Sequence, residues 1–255
     1  MKSNMNDAAT QPATNMRLLI FVLASNEEHQ LEKTVRGLQA QCPPEHAAGI
    51  VLFLAPKATV GCLRTAAALQ DLTAPIPTEI LQETTLNTPE TIKKAVRART
   101  DATHVLFLAS DYFLETSQIV DLIERAARDP EHIYKFSRAL PGGRFQPGYP
   151  IGAIPLYRLF SFFVRILYGV KITDPVFPVM VAPVQLFQQQ YAQSSILAGA
   201  EFIFLLLRMK LPMIEVPAFH LPRTEKKGTT NIAFRLRYLG IALRTRFAKE
   251  RKDDC

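Results

Sequence analysis

Two rhythms alternate along the first half of the chain. Unbroken apolar runs are followed by segments whose apolar residues recur every three or four positions. A strand covered on both faces reads as a continuous run, and a helix packed on one side as a period near 3.6. RLLIFVLA (Arg17 to Ala24), GIVLFLA (Gly49 to Ala55) and HVLFLAS (from His104) are such runs, and TEILQETT (from Thr78) is a shorter one. Between them the periodic segments predict helices. SNEEHQLEKTVRGLQAQ buries Leu31, Val35 and Leu38, with Ser25 or Asn26 as cap and Glu27 and Glu28 in the first turn. TVGCLRTAAALQDL follows, then a helix over 88–101 with Thr88 as cap and Pro89 at its first position. ETSQIVDLIERAARD turns Ile119, Leu122, Ile123 and Ala126 inward.

This order predicts an α/β fold: a mostly parallel, Rossmann-type sheet covered by helices. Ligands on such sheets sit beyond the carboxyl ends of the strands. Here those ends read ASNEE, APKAT and ASDY.

The second half has another texture. KFSRALPGGRFQPGYP (from Lys135) is rich in Gly, Pro and aromatic residues and reads as a functional loop rather than a core element. A helix is expected from about Leu156 to Tyr168. Leu156, Phe160, Phe163 and Leu167 would line one side, and Arg158, Ser161 and Arg165 would form a polar stripe. DPVFPVMVAPVQLFQQ suggests a strand-like hairpin leading into a helix. A buried helix and a strand follow from Ala200. An amphipathic basic helix closes the pattern from about Ile232 to Arg251, with Leu236, Leu239, Leu243 and Phe247 on one side. The expected organisation is a disordered tail over 1–15 and one domain over 16–250. Its first half would span 16–130 and its second 131–250.

Composition supports a sizeable core, with 48% hydrophobic and 21% charged residues. Cys42, Cys62 and Cys255 have neither metal-ligand spacing nor an even disulfide framework, which suggests reduced thiols in a cytosolic protein. No secretory signal is visible, and no apolar stretch is long enough to predict a spanning helix. The net charge of +7 is uneven. Residues 223–252 hold ten Lys or Arg and two acids, which points to phosphate-bearing partners. The five histidines have no metal-ligand spacing, and no nucleic-acid module is recognisable, so no nucleic-acid partner is expected.

The order of motifs resembles glycosyltransferase family 2 on a GT-A fold, most nearly the polyprenyl- and dolichol-phosphate sugar synthases, over roughly residues 17–245. Asn26 and Glu27 match the Asn-Glu of the family's first motif, which contacts the donor's base; its Pro and Tyr are absent. Ala55, Pro56 and Lys57 stand where the family carries two Asp residues, with Gly61 in the turn that follows. Asp111 fits the second member of Asp-x-Asp, and Ala109 replaces the first. The later motifs match more fully. Ser137, Arg138, Gly142 and Gly143 fit the Ser-Arg and Gly-Gly positions, and Arg158 and Ser161 the helix after them. Asp174 fits the turn acid, without the Gly-Phe-Arg that normally follows. Glu215, Val216 and Pro217 fit the Glu-Val-Pro strand, ahead of Arg223 and Gly228.

The resemblance implies inverting sugar transfer from a nucleotide-sugar to a phosphorylated polyprenol or other lipid acceptor. The protein would be peripheral on the inner, cytoplasmic face of an anionic membrane. It implies Mg²⁺ or Mn²⁺ on Asp-x-Asp, of which only Asp111 is present as candidate ligand; a turn acid after a strand is the plain alternative. Asp111 and Arg223 are the catalytic candidates. Asn26, Glu27, Lys57 and Asp111 are the donor-side set, and a plain solvated surface lysine is the favoured alternative for Lys57. Ser137, Arg138, Arg158, Ser161, Arg165, Arg223, Lys226 and Lys227 form the acceptor and phosphate set. Basic side chains offer a route to stabilising a leaving phosphate without a metal. The competing reading is a relative that keeps the scaffold, has lost the donor acids, and serves as a binding subunit.

Overall fold

The computed structural model describes residues 16–82, 88–109, 114–145, 147, 153–190, 198–221 and 232–248. The predicted tail over 1–15 lies outside them, as do Asp111, Arg223, Lys226 and Lys227. The strands are β1 Leu18–Ala24, β2 Ala47–Leu54, β3 Thr78–Gln82, β4 His104–Ala109, β5 Ile133–Ser137, β6 Met180–Pro183 and β7 Met213–Pro217. The helices are α1 Glu28–Gln41, α2 Val60–Gln70, α3 Thr88–Arg97, α4 Thr116–Arg128, α5 Ala153–Tyr168, α6 Val184–Gln190, α7 Ala198–Arg208 and α8 Ile232–Phe247.

The strands form one seven-stranded sheet in the order β3-β2-β1-β4-β6-β5-β7. β1 pairs in parallel with β2 and β4, β2 with β3, and β5 with β7. β6 runs against both of its neighbours, β4 and β5. Strand periodicity divides the core between the two faces. Leu18, Ile20 and Val22 of β1 pack with α1, α2 and α4. Leu19 and Phe21 pack on the other face with α3, α6 and α7. Burial on both faces is why β1, β2 and β4 are continuously apolar.

Register brings the strand ends together. Ala24 lies opposite Leu54, and Leu23 opposite Ala109. The ends of β1, β2, β4, β5 and β7 share one edge of the sheet, because all five run the same way.

Several expectations need correction. α1 begins at Glu28; its N-cap is Glu27, without a side-chain cap bond, so neither Ser25 nor Asn26 caps it. Lys135, Phe136 and Ser137 are not loop but the end of β5, a strand buried at every position. The hairpin expected around Met180 is a single strand, β6, leading directly into α6. On α5 the packed face is Ala153, Tyr157, Ser161, Val164 and Tyr168. Leu156 is exposed, and Phe160, Phe163 and Leu167 are only half-buried. Ser161 is buried while Arg158 and Arg165 are exposed, and its hydroxyl donates to the Tyr157 carbonyl at 3.1 Å. The arginines lie one turn before and one turn after it along the helix, rotated toward solvent.

Candidate functional site

The carboxyl edge carries two different constructions. On the β1–β2–β4 side, two turns are joined through their backbones. Ala55 N–H donates to Ala24 O at 3.0 Å, and Thr59 N–H to Ser25 O at 2.8 Å. The Glu27 carboxylate accepts from the backbone N–H groups of Ser25 and Asn26, both at 3.1 Å, so it holds its own turn. Thr59 caps α2 by accepting from Cys62 N–H at 3.2 Å, and its hydroxyl donates to Glu28 at 3.3 Å. A Cβ on Gly61 would sit 2.8 Å from the Glu28 carboxylate, the free end of a flexible side chain. Lys57 is exposed on the β2–α2 turn. β4 ends at Ala109, beside Leu23.

Asn26, Glu27 and Lys57 thus stand on joined turns at one mouth. Among the described residues, no group of three or more His, Cys, Asp or Glu is arranged to hold a metal ion. Alanine, proline and lysine side chains at 55–57 and 109 offer no oxygen to a hard cation. The described residues by themselves therefore do not make a Mg²⁺ or Mn²⁺ site.

On the β5–β7 side, the edge is built from buried charges. Asp174 is fully buried. Its carboxylate accepts from Arg138 N–H at 3.0 Å, Arg138 Nε at 2.8 Å and Nη2 at 3.1 Å. It also accepts from Phe177 N–H at 3.1 Å and from the Tyr157 hydroxyl. The Arg138 guanidinium lies 4.4 Å from the Phe177 ring centroid and 5.2 Å from that of Phe145. Phe145 meets Tyr157 edge-on, with centroids 5.0 Å apart. A second acid sits behind the first. Glu215, on β7, accepts from Thr173 N–H at 2.7 Å, Thr173 Oγ1 at 2.8 Å and Asp174 N–H at 3.0 Å. Fully buried Lys135 lies 3.8 Å from Glu215; it donates to Phe136 O at 2.8 Å and to Asp174 O.

Fully buried Asp174 and Lys135 and the largely buried Arg138 and Glu215 thus sit together, each with several partners, as such groups require. Burial alone would push the Asp174 carboxyl up. The adjacent Arg138 and Lys135 charges outweigh it and hold the group well below the carboxylate range. Burial raises the Tyr157 phenol far above its ordinary value, and the Asp174 charge adds to that. Burial lowers Lys135, with Asp174 and Glu215 opposing.

This core fixes the chain that leaves β5. Ser137 Oγ and Thr173 Oγ1 are 2.6 Å apart. Gly142 has a φ of 84°, and a Cβ on Gly143 would stand 2.7 Å from Ser137 O. These two glycines let the loop fold back onto the end of β7. There Arg144 N–H donates to Ala218 O at 2.8 Å, and His220 N–H to Arg144 O at 3.0 Å. Gln118 of α4 grips the Phe219 backbone from both sides, at 3.1 and 2.7 Å.

Of the predicted acceptor set, Ser137 and Arg138 join this cluster. Arg158 and Arg165 lie apart on the outer side of α5. Tyr157, Thr173 and Lys135 belong to the cluster and were not predicted. Lys135 interrupts the apolar run HIYKFS, and a lone lysine there was the available signal of a buried ion.

No protein-family model matches the sequence, and no curated protein matches it. Solved structures do match. Glucosyl-3-phosphoglycerate synthase from Mycobacterium tuberculosis, in complex with uridine-diphosphate, is similar at a TM-score of 0.67 and 13% identity. That match covers 92% of this chain and 82% of the other. The same synthase with Mn²⁺, uridine-diphosphate-glucose and phosphoglyceric acid gives a TM-score of 0.63 at 12% identity, covering 92% and 81%. At this identity the likeness speaks for the backbone architecture alone, and on that architecture the chain has the GT-A glycosyltransferase fold.

Proposed function

We propose that this protein transfers a sugar from a nucleotide-sugar to the phosphate of a lipid-linked acceptor, at the cytoplasmic face of a membrane. The observation that carries the reading is the carboxyl edge of the sheet. A mouth of joined turns stands at one end of that edge, and a loop fixed by the Arg138–Asp174 pair at the other. The solved neighbours of the same fold include an enzyme crystallised with a nucleotide-sugar and a phosphorylated acceptor, which supports the reaction class.

In this reading residues 16–130 receive the donor and 131–250 the acceptor. An oxygen of the acceptor phosphate attacks the anomeric carbon opposite the leaving group. The new carbon–oxygen bond forms as the bond to the donor's phosphate breaks, with inversion. The nucleotide departs carrying the electron pair. A phosphate is already ionised near neutrality, so the attack needs no general base. Negative charge grows on the departing phosphate, and fixed positive groups lower the barrier. Lys57 is the described cation at the donor mouth. Arg223, Lys226, Lys227 and Asp111 complete the proposed set, with Asp111 as the carboxylate for a divalent ion if one enters with the donor. Arg158 and Arg165 serve the acceptor phosphate. Arg138 acts by positioning the loop, since its fork is already engaged by Asp174.

A second reading, a binding subunit without catalysis, is favoured by one observation: Ala55, Pro56, Lys57 and Ala109 leave the donor mouth poor in acids. Titration of the full chain with a panel of nucleotide-sugars, with and without Mn²⁺, separates the readings. Saturable binding, followed by release of free nucleotide when a lipid phosphate is added, supports transfer. Binding without turnover supports the second reading. Absence of binding at millimolar donor in both conditions defeats the transferase.

A further inference from the structure

α5 is apolar almost all the way round. AIPLYRLFSFFVRILY has arginine at two positions, a serine at one, and no acid. A helix of this kind in a water-soluble fold is normally enclosed. Here only the side bearing Tyr157, Ser161 and Val164 is buried. On the opposite side Leu159 is 61% exposed, Phe162 55% and Ile166 67%, with Leu156 beside them. These residues recur three and four apart, so they make one continuous ridge rather than scattered exposures. Arg158 and Arg165 flank it.

α8 repeats the arrangement. Ala242 and Thr245 are its buried positions, while Leu236 is 62% exposed, Phe247 70%, and Leu243 lies between them. Arg237 and Arg244 stand to one side of this row and Arg246 to the other; Arg244 is paired with Glu201 of α7 at 2.7 Å. The two helices are tied where they meet. The Tyr168 hydroxyl donates to Ala242 O at 2.7 Å, and Arg246 Nε to Leu167 O at 3.0 Å.

We infer that the outward faces of α5 and α8 together form a docking surface for an anionic lipid bilayer. The apolar ridges would enter the headgroup boundary, with the arginines at phosphate level. Charge decides against a second copy of the chain as occupant. Neither 16-residue helix contains an Asp or Glu, so two such faces would set arginine against arginine across an apolar seam. Anionic headgroups supply negative charge to Arg158, Arg165 and Arg237, while Arg244 already has Glu201. No described helix is long and apolar enough to cross a membrane, so the contact is one of lying on the surface. The inference deepens the lipid-acceptor reading and rests on it for its purpose. The assay below contains neither donor nor acceptor, so loss of lipid binding and loss of transfer are read separately.

The test is flotation of the full-length protein with vesicles of phosphatidylcholine, or of phosphatidylcholine with phosphatidylglycerol, at low and high salt. The wild type is expected to float with the anionic vesicles and to weaken as salt rises. The double variant F162S/I166S should lose roughly tenfold or more in vesicle affinity, and L236S/F247S should lose affinity independently. All four side chains are exposed, and an unchanged melting temperature verifies each fold. Three results overturn the proposal. The wild type fails to float, or both double variants float like it, or gel filtration shows a dimer that the same substitutions dissolve.

Discussion

The two ends of the carboxyl edge are held by different forces. The mouth between β1 and β2 rests on backbone hydrogen bonds between turns, and its side chains are largely solvated. The β5–β7 end rests on side chains: Arg138, Asp174, Lys135 and Glu215 satisfy one another out of water. Ala55 to Lys57 and Ala109, departures from the family 2 pattern that the sequence resembles, fall at the first end, where Asn26 and Glu27 still match it. Ser137, Arg138, Asp174 and Glu215, which match it, fall at the second, where the Gly-Phe-Arg after Asp174 is missing. A backbone-held turn accepts many side chains without structural penalty. A buried ion cannot be exchanged without stranding its partner.

The sharpest way to break this comparison is to remove Asp174. Asp174→Ala leaves the Arg138 guanidinium buried without its counter-ion. The expected loss is on the order of 3–5 kcal/mol in denaturant unfolding. A loss no greater than that of a surface substitution would erase the distinction between the two ends.

Glycines sharpen it next. Gly143→Ala directs a methyl group at the Ser137 and Arg138 backbone, which cannot move freely, and about 1–3 kcal/mol should be lost. Gly61→Ala meets the end of the Glu28 side chain, which can swing away, so less than about 1 kcal/mol is expected. Thermal melts of the pair provide the check; equal shifts would contradict the contrast.

Acid reads the same network without changing volume. Asp174 has its folded pKa depressed, so its stabilisation is fully present above its ordinary value of 3.8 and is lost as pH falls toward the folded value. The stability gap between wild type and Asp174→Asn should therefore be constant near neutrality and narrow below that pH. A gap that widens in acid would have the wrong sign.

Lys57→Ala should have the smallest effect on folding, within about 0.5 kcal/mol, because the residue is exposed. Under the transferase reading it should weaken nucleotide-sugar binding several-fold in the titration described above. Unchanged affinity would remove Lys57 from the donor set.

The parallel half of the sheet was legible because β1, β2 and β4 are buried on both faces and must be apolar throughout. α4 was legible to the residue, since Ile119, Leu122, Ile123 and Ala126 all pack inward. β5 was not, because local pattern treats Lys135 as a break, while the lysine's partners lie at Asp174 and Glu215, far along the chain. On α5 the expected side of Phe160, Phe163 and Leu167 is only partly the packed one, for the opposite reason. Its apolar residues surround the helix, so periodicity cannot say which of them the core takes. The α1 cap failed because Glu27 bonds backward to Ser25 and Asn26 instead of serving as a simple helix start.

The antiparallel strand β6 also sets an order of assembly. β1 to β4 pair with one another within residues 18–109. β5 is synthesised next, yet it joins β4 only through β6, which lies more than forty residues later. Until Met180–Pro183 emerges from the ribosome, β5 has no neighbour on that side, and Glu215, the carboxylate beside Lys135, comes later still on β7. Such distant closure is slow compared with local pairing. The first half of the sheet can therefore pair while the charged half is still open to water.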